Sequence, residues 1–214
     1  MNALFISYLW RNPYCFFSGI IIVVISVCFH EFCHAFAALK CGDDTAAERG
    51  HLTFNPFRQM GIISLLMLAI LGIAWGQVPV DHKKMRHKYD PVLVALAGPL
   101  SNVLLGVIFL VLTYIVASCG SGKSDFAMQM LFYGGNINFV LAMINLLPIP
   151  GFDGFAVTAF ILPKIFSTSS EFIRGFFVSV ALVLFVFLGR IFELANVLSI
   201  YVLTLVDTLV KWIR

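Results

Sequence analysis

The stretch Phe16-Phe-Ser-Gly-Ile-Ile-Ile-Val-Val-Ile-Ser-Val-Cys-Phe-His30-Glu31-Phe-Cys-His34-Ala-Phe-Ala-Ala-Leu39 decides the fold. It is long enough to cross the hydrocarbon core of a bilayer as a helix, which takes about 20 apolar residues. Residues 20–29 carry no charge at all, and then three ionisable side chains follow within five positions. On a helix, His30 and His34 lie one turn apart on the same face. Two imidazoles so placed can grip one divalent cation, and the carboxylate of Glu31 can act as a general base on water there. Ionisable groups at membrane depth are costly and usually functional. The plain alternative is a polar helix end lying at the headgroups.

Composition extends this reading to the whole chain. Of 214 residues, 60% are hydrophobic and 12% charged, where a soluble domain carries about 25% charged residues. Mean hydropathy is +0.96. These values predict an all-α polytopic membrane protein, with residues 1–214 as a single membrane domain. The net charge of +3 gives no footing for nucleic acid. Cys15, Cys28, Cys33, Cys41 and Cys119 show no paired spacing and read as packing residues, not as a disulfide framework. Arg11, Asn12 and Pro13 precede an apolar run too long for a signal-peptide core, so no cleavable leader is expected.

Beyond the first helix, Asp43, Asp44 and Glu48 mark a polar stretch. His51-Leu-Thr-Phe54 before Asn55-Pro56 reads as short β-structure. Residues 61–75 are apolar but short for a span, at roughly 23 Å as a helix. They read as re-entrant, with a short tilted span as the alternative. Residues 81–90 form the most basic loop, with Lys83, Lys84, Arg86 and Lys88 beside His82 and His87. Apolar runs follow at 91–118, 126–147, 175–188 and 194–210, with Arg190 and Glu193 between the last two. The expected total is five or six transmembrane helices. The basic loop marks the cytoplasmic side; with a re-entrant 61–75, the polar end of the first helix faces that side too.

A catalytic zinc site takes three protein ligands and leaves a position for water. One further ligand is therefore expected, and Asp153 is the candidate, in Asn145-Leu-Leu-Pro148-Ile-Pro150-Gly151-Phe-Asp153-Gly154. The prolines and glycines there stop a helix. Irregular backbone at membrane depth is tolerated only where protein or water covers it. The other reading of Asp153-Gly154 is a solvated turn. A third cluster is Ala97-Gly98-Pro99-Leu100-Ser101-Asn102. Its small residues permit close helix approach. Asn102 is then a buried amide that either bonds a neighbouring helix or holds substrate. Asn138 and Asn145, seven positions apart on one face, carry the same two readings.

These clusters, in this order, resemble the site-2 protease family of polytopic zinc metalloproteases. The resemblance covers about residues 22–155. It rests on His30-Glu31-Phe32-Cys33-His34, on Ala97-Gly98-Pro99-x-x-Asn102 and on Asn145…Asp153-Gly154, with Gly42-Asp43, Gly50-His51-Leu-Thr-Phe-Asn55-Pro56 and Trp75-Gly-Gln-Val-Pro79-Val resembling connecting motifs of its minimal bacterial members. The resemblance implies zinc held by His30, His34 and Asp153, with Glu31 as catalytic base. It implies that Asn102 and Asn145 contact the substrate backbone or the oxyanion. It further implies a core at 16–155 with accessory C-terminal helices at 174–214, no PDZ-like domain, and a location in a bacterial inner membrane with the active site toward the cytoplasm. The substrate would be a membrane-embedded protein, such as an anti-sigma factor or a leftover signal peptide. His51 stands where related sequences often have Arg, Leu146 and Gly151 stand where many have further prolines, and 75–80 matches in part.

Two rivals use the same residues. A membrane carrier or sensor of divalent metal would bind without hydrolysis, but it has little use for Glu31 between its ligands, and the chain offers few other intramembrane acids, since Glu193 and Asp207 sit near helix ends. An inactive structural relative would have no reason to retain Glu31 and Asp153.

Overall fold

The computed structural model describes residues 5–119, 125–163 and 170–213, with the side chains of 125, 170–188 and 213 outside the description. A short helix α1 (Tyr8–Arg11) leads into α2 (Pro13–Lys40). Asn12 caps α2 by accepting the Cys15 N–H at 3.2 Å, and Pro13 fills the first turn, where no N–H is needed. Then come α3 (Thr45–Glu48), α4 (Pro56–Gln59), α5 (Gly61–Leu71), α6 (Asp90–Ser118), α7 (Asp125–Asn145), α8 (Asp153–Ile161) and α9 (Ser170–Ile213).

Among the described residues, four helices are long and apolar enough to cross a membrane: Pro13–Lys40, Asp90–Ser118, Phe126–Asn145 and Gly189–Trp212. The protein is an all-α, multi-pass membrane protein. The outward faces of these helices carry Ile21, Ile25, Leu104, Ile108, Leu112 and Leu205, as a hydrocarbon solvent requires. Their inward faces carry Ser26, His30, Asn102, Thr113 and Asn138, all buried. Polar groups so placed must satisfy one another, because lipid offers no hydrogen bonds.

The tightest packing is between α6 and α7. A side chain at Gly106, Gly134 or Gly135 would run into Phe139, Phe109 or Leu110, so these glycines set the close approach. Leu110, Phe139 and Val140 form one core there with Ala195 of α9. Val27 and Cys28 of α2 form a second with Met60 and Leu68.

The polar stretch after α2 departs from expectation. Among the described residues there is no strand, and 51–55 is irregular. The Gln59 side chain donates to the carbonyls of His51 at 2.9 Å and Thr53 at 2.7 Å, filling acceptors that a partner strand would have used. Phe54 instead stacks on Phe32, ring centroids 4.5 Å apart.

Helix α5 is 11 residues long, about 16 Å, too short to span. It ends at Gly72, whose φ of +76° suits a left-handed cap. The chain then doubles back in extended form: Ser64 Oγ accepts the Trp75 N–H at 2.9 Å and donates to its carbonyl at 2.6 Å, and the Gln77 N–H reaches the Gln59 carbonyl at 3.0 Å. Residue 77 therefore lies beside residue 59, where the excursion began.

Asp43, fully buried, ties the two loops at this end together, accepting the Thr45 N–H at 3.0 Å and the Asp81 N–H at 2.7 Å. Burial works against its charge, but Thr45, the Asp81 N–H and the Lys84 charge outweigh it and hold the carboxyl below the ordinary range.

At the other end of the chain, Arg190 and Glu193 do not interrupt the helix. They form an ion pair at 2.7 Å on its exposed face, and α9 runs through them. The side chains of the apolar run 175–188 lie outside the described residues.

Candidate metal centre and active site

Three elements bring the site together. The last turns of α2 supply His30, Glu31 and His34, all buried. The first half of α6 passes directly behind them. The irregular chain after α7 supplies Asp153 as the first residue of α8. Pro148 and Pro150 keep α7 from continuing. A side chain at Gly154 would overlap the Leu146 carbonyl, so only glycine lets α8 fold back onto the end of α7 and turn Asp153 inward.

The ligand atoms converge. His30 Nε2 lies 2.9 Å from His34 Nε2. Asp153 Oδ2 lies 3.2 Å from His30 Nε2, and Asp153 Oδ1 lies 3.2 Å from His34 Nε2. Among the described residues, this is the one group of three or more His, Cys, Asp or Glu side chains able to hold a metal ion, and Cys33 is outside it.

The hydrogen bonds behind the rings show what belongs between them. His34 Nδ1 lies 2.7 Å from the Val94 carbonyl, which can only accept, so this nitrogen carries the proton. His30 Nδ1 lies 2.6 Å from Asn102 Oδ1 and likewise donates. In neutral rings both Nε2 atoms then present lone pairs. Two lone pairs and a carboxylate thus face one another, and Asp153 Oδ2 is buried without any hydrogen-bond donor. Such a set demands a cation. The separations of 2.9–3.2 Å are close to the edge of about 3.3 Å in a tetrahedron with 2.0–2.1 Å ligand bonds. Two nitrogens and one oxygen suit zinc.

Two glycines fit against this centre. A methyl group at Gly98 would overlap His34 Nε2 and His30 Cε1, so α6 must be bare there for the two rings to meet. A methyl group at Gly76 would overlap the Glu31 side chain, so the extended chain after α5 lies directly on that carboxylate. Before the site opens a cavity of about 710 Å³, lined on one wall by residues 72–78 and on another by Asn145, Phe152 and Asp153. A volume of this size takes a peptide segment of a few residues.

Of the residues singled out from sequence, His30, Glu31, His34, Asn102, Asn145 and Asp153 all line the cavity. Asn145 donates to the Leu141 carbonyl at 3.0 Å, which leaves its side-chain oxygen available. Asn102 is brought to the back of His30: it is fully buried, with both N–H groups given to the Ser26 carbonyl at 3.3 Å and Asn138 Oδ1 at 2.9 Å. His82, in the basic loop, also lines the cavity, whereas His87 stacks on Tyr89. Sequence reasoning missed Gly76, the Val94 carbonyl and Ser26, and took Gly98 for a helix-packing residue. Ser26 carried a signal, being a hydroxyl one turn before His30 on the same face.

Comparison with known proteins places the chain. It is 32% identical over 154 residues to a Bacillus subtilis protein named "Putative zinc metalloprotease YwhC", covering 67% of this chain and 68% of that one. It is 30% identical over 164 residues to MJ0611 of Methanocaldococcus jannaschii, similarly named, covering 72% and 78%. It is 34% identical over 149 residues to Rip2 of Mycolicibacterium smegmatis, similarly named, covering 64% of this chain and 56% of Rip2. No protein-family model and no solved structure matches. With two histidines and an aspartate converging at the end of a membrane-length helix, and relatives at this identity over most of their length, the chain belongs to the zinc metalloprotease family of YwhC, Rip2 and MJ0611.

Proposed function

We propose that the protein is an intramembrane zinc metalloprotease of the site-2 protease kind, hydrolysing peptide bonds within or near the membrane-spanning segments of other membrane proteins. One observation carries the reading: three ligand atoms without a donor between them converge beside a buried glutamate, on a helix long enough to span a bilayer. Zinc held by His30, His34 and Asp153 would supply a Lewis acid that polarises a carbonyl and acidifies water.

The chain's own residues do the rest. His30 and His34 each hold a proton at Nδ1 and so keep Nε2 for the metal. Glu31, at the cavity wall, takes a proton from water at its carboxylate and passes it to the leaving amine. Asn145, with a free oxygen at the cavity wall, contacts the substrate backbone. The substrate enters locally unwound, because a peptide bond inside a helix is shielded by its own backbone hydrogen bonds. The chain at Gly76 lies directly against the Glu31 side chain at the cavity wall.

The whole chain acts as one membrane domain with its core at 16–155. The basic loop at 81–90 supports a cytoplasmic position for the site, in a bacterial inner membrane. The carrier alternative is weaker, because among the described residues no second ligand cluster offers a metal an onward path.

The test is cleavage of single-span membrane segments by the purified, zinc-loaded protein in detergent. Glu31→Gln should keep zinc and lose about 10²–10⁴-fold in rate. Equal cleavage by the variant would end the proposal, and zinc uptake into proteoliposomes without cleavage would favour the carrier.

A further inference from the structure

Behind His30, the three central spans are joined by a chain of hydrogen bonds in which every amide has one orientation. It begins on α7, where Asn138, fully buried, donates from Nδ2 to the Gly134 carbonyl at 2.8 Å and to Ser26 Oγ at 2.9 Å. The Gly134 carbonyl can only accept, which fixes the Asn138 nitrogen on that side. Asn138 Oδ1 therefore faces α6, where it accepts from Asn102 Nδ2 at 2.9 Å. Asn102 gives its other N–H to the Ser26 carbonyl at 3.3 Å, and its Oδ1 accepts from His30 Nδ1 at 2.6 Å. Reversing Asn138 would set N–H against N–H, and reversing Asn102 would set its oxygen against the Ser26 carbonyl and Asn138 Oδ1, in a dry interior where unmet polar groups are expensive.

We propose that Asn138, which touches neither metal nor cavity, is a positioning residue for the metal centre. By holding the Asn102 oxygen toward His30, it fixes the Nδ1–H form of that imidazole and leaves Nε2 as a lone pair aimed at His34 and Asp153. The inference rests on the zinc reading of the site. It differs from a purely structural role, in which the same bonds only glue α2, α6 and α7 together. Partners outside the ligand shell that orient a metal-bound histidine are typically worth 10–100-fold in metal affinity. Glue alone would change stability and leave affinity where it was.

The experiment compares wild type, Asn138→Leu, Asn138→Asp and Ser26→Ala in detergent. It measures zinc affinity by chelator competition and the protonated nitrogen of His30 by ¹⁵N NMR of the zinc-stripped protein. Asn138→Leu removes the acceptor for Asn102 and should weaken zinc about tenfold or more, with His30 passing to a mixture of ring forms. Asn138→Asp keeps an oxygen toward Asn102 and should recover most of the affinity. Ser26→Ala disturbs the same core but leaves the Asn138–Asn102–His30 path intact, and should bind zinc like wild type. Unchanged affinity and ring form in Asn138→Leu would overturn the proposal, as would an equal loss in Ser26→Ala. Should Asn138→Leu not fold, Asn138→Ser takes its place with the same two readings. Failure of the wild type to bind zinc would instead sink the metal reading itself, while the His30 signals would still report the amide orientation.

Discussion

Gly98→Ala separates the metal centre from the fold. Gly98 lies within α6, and the added methyl would overlap His34 Nε2 and His30 Cε1. Two effects oppose each other in the zinc-free protein. Alanine is the better helix former by about 0.8–1 kcal/mol, while overpacking costs about 1–3 kcal/mol. The rings can relieve the overlap by turning into the adjoining cavity, so metal-free stability should change by less than about 2 kcal/mol. Zinc has no such escape, because ligand positions tolerate only about 0.2 Å of error. Displacing two of three ligands should weaken zinc at least about 100-fold, or about 2.7 kcal/mol. The assay pairs chelator competition with thermal unfolding of stripped protein. Gly189→Ala is the control, since among the described residues nothing lies within 4 Å of a methyl group there. If Gly98→Ala bound zinc as tightly as wild type, the two histidines could not be ligating where the structure puts them.

Other expectations concern the third ligand, the loops and the ion. Asp153→Ala should lose zinc by about 100-fold or more while the helices stay folded, read by metal content and helical circular dichroism. Asp43→Asn should destabilise the clamp between the loops at 43–45 and 81 by about 1–3 kcal/mol at neutral pH. Because the folded Asp43 carboxyl lies below its unfolded value, its contribution is complete above the ordinary carboxylate range and fades as pH falls through the folded value. The gap between wild type and Asp43→Asn in limited proteolysis should therefore close on acidification; a gap that widened would contradict the clamp. Stripping zinc with a chelator should lower the unfolding temperature, and zinc restored at 100 times its dissociation constant should return about 2.7 kcal/mol.

Much of the site was legible in the chain because its signals are local. His30 and His34 are one turn apart, and a helix alone puts them on one face. The break at Pro148 and Pro150 is also local, so an inward-turned Asp153 was a fair expectation. What stayed hidden depends on contacts between distant segments. His51-Leu-Thr-Phe54 looks like a strand until the Gln59 side chain takes its carbonyls. Gly98 looks like a helix-packing glycine, and only the arrival of two imidazoles from α2 shows why it is bare. Asn102 reads equally well as glue or as a substrate contact from sequence, and only the approach of His30 from one side and Asn138 from the other shows which partners hold its carboxamide. Arg190 and Glu193 resemble an interruption, yet their spacing of three lets them pair on the surface of a continuous helix.

X-ray absorption at the zinc edge of the purified wild-type protein bears on the metal centre without intermediaries. With zinc loaded one per chain, the spectrum should show two imidazole nitrogens at about 2.0–2.1 Å and carboxylate or water oxygen at about 2.0–2.2 Å, with one nitrogen fewer in His34→Ala. A sulfur shell near 2.3 Å, as a cysteine ligand would give, or a spectrum unmoved by His34→Ala and Asp153→Ala, would put the metal somewhere else.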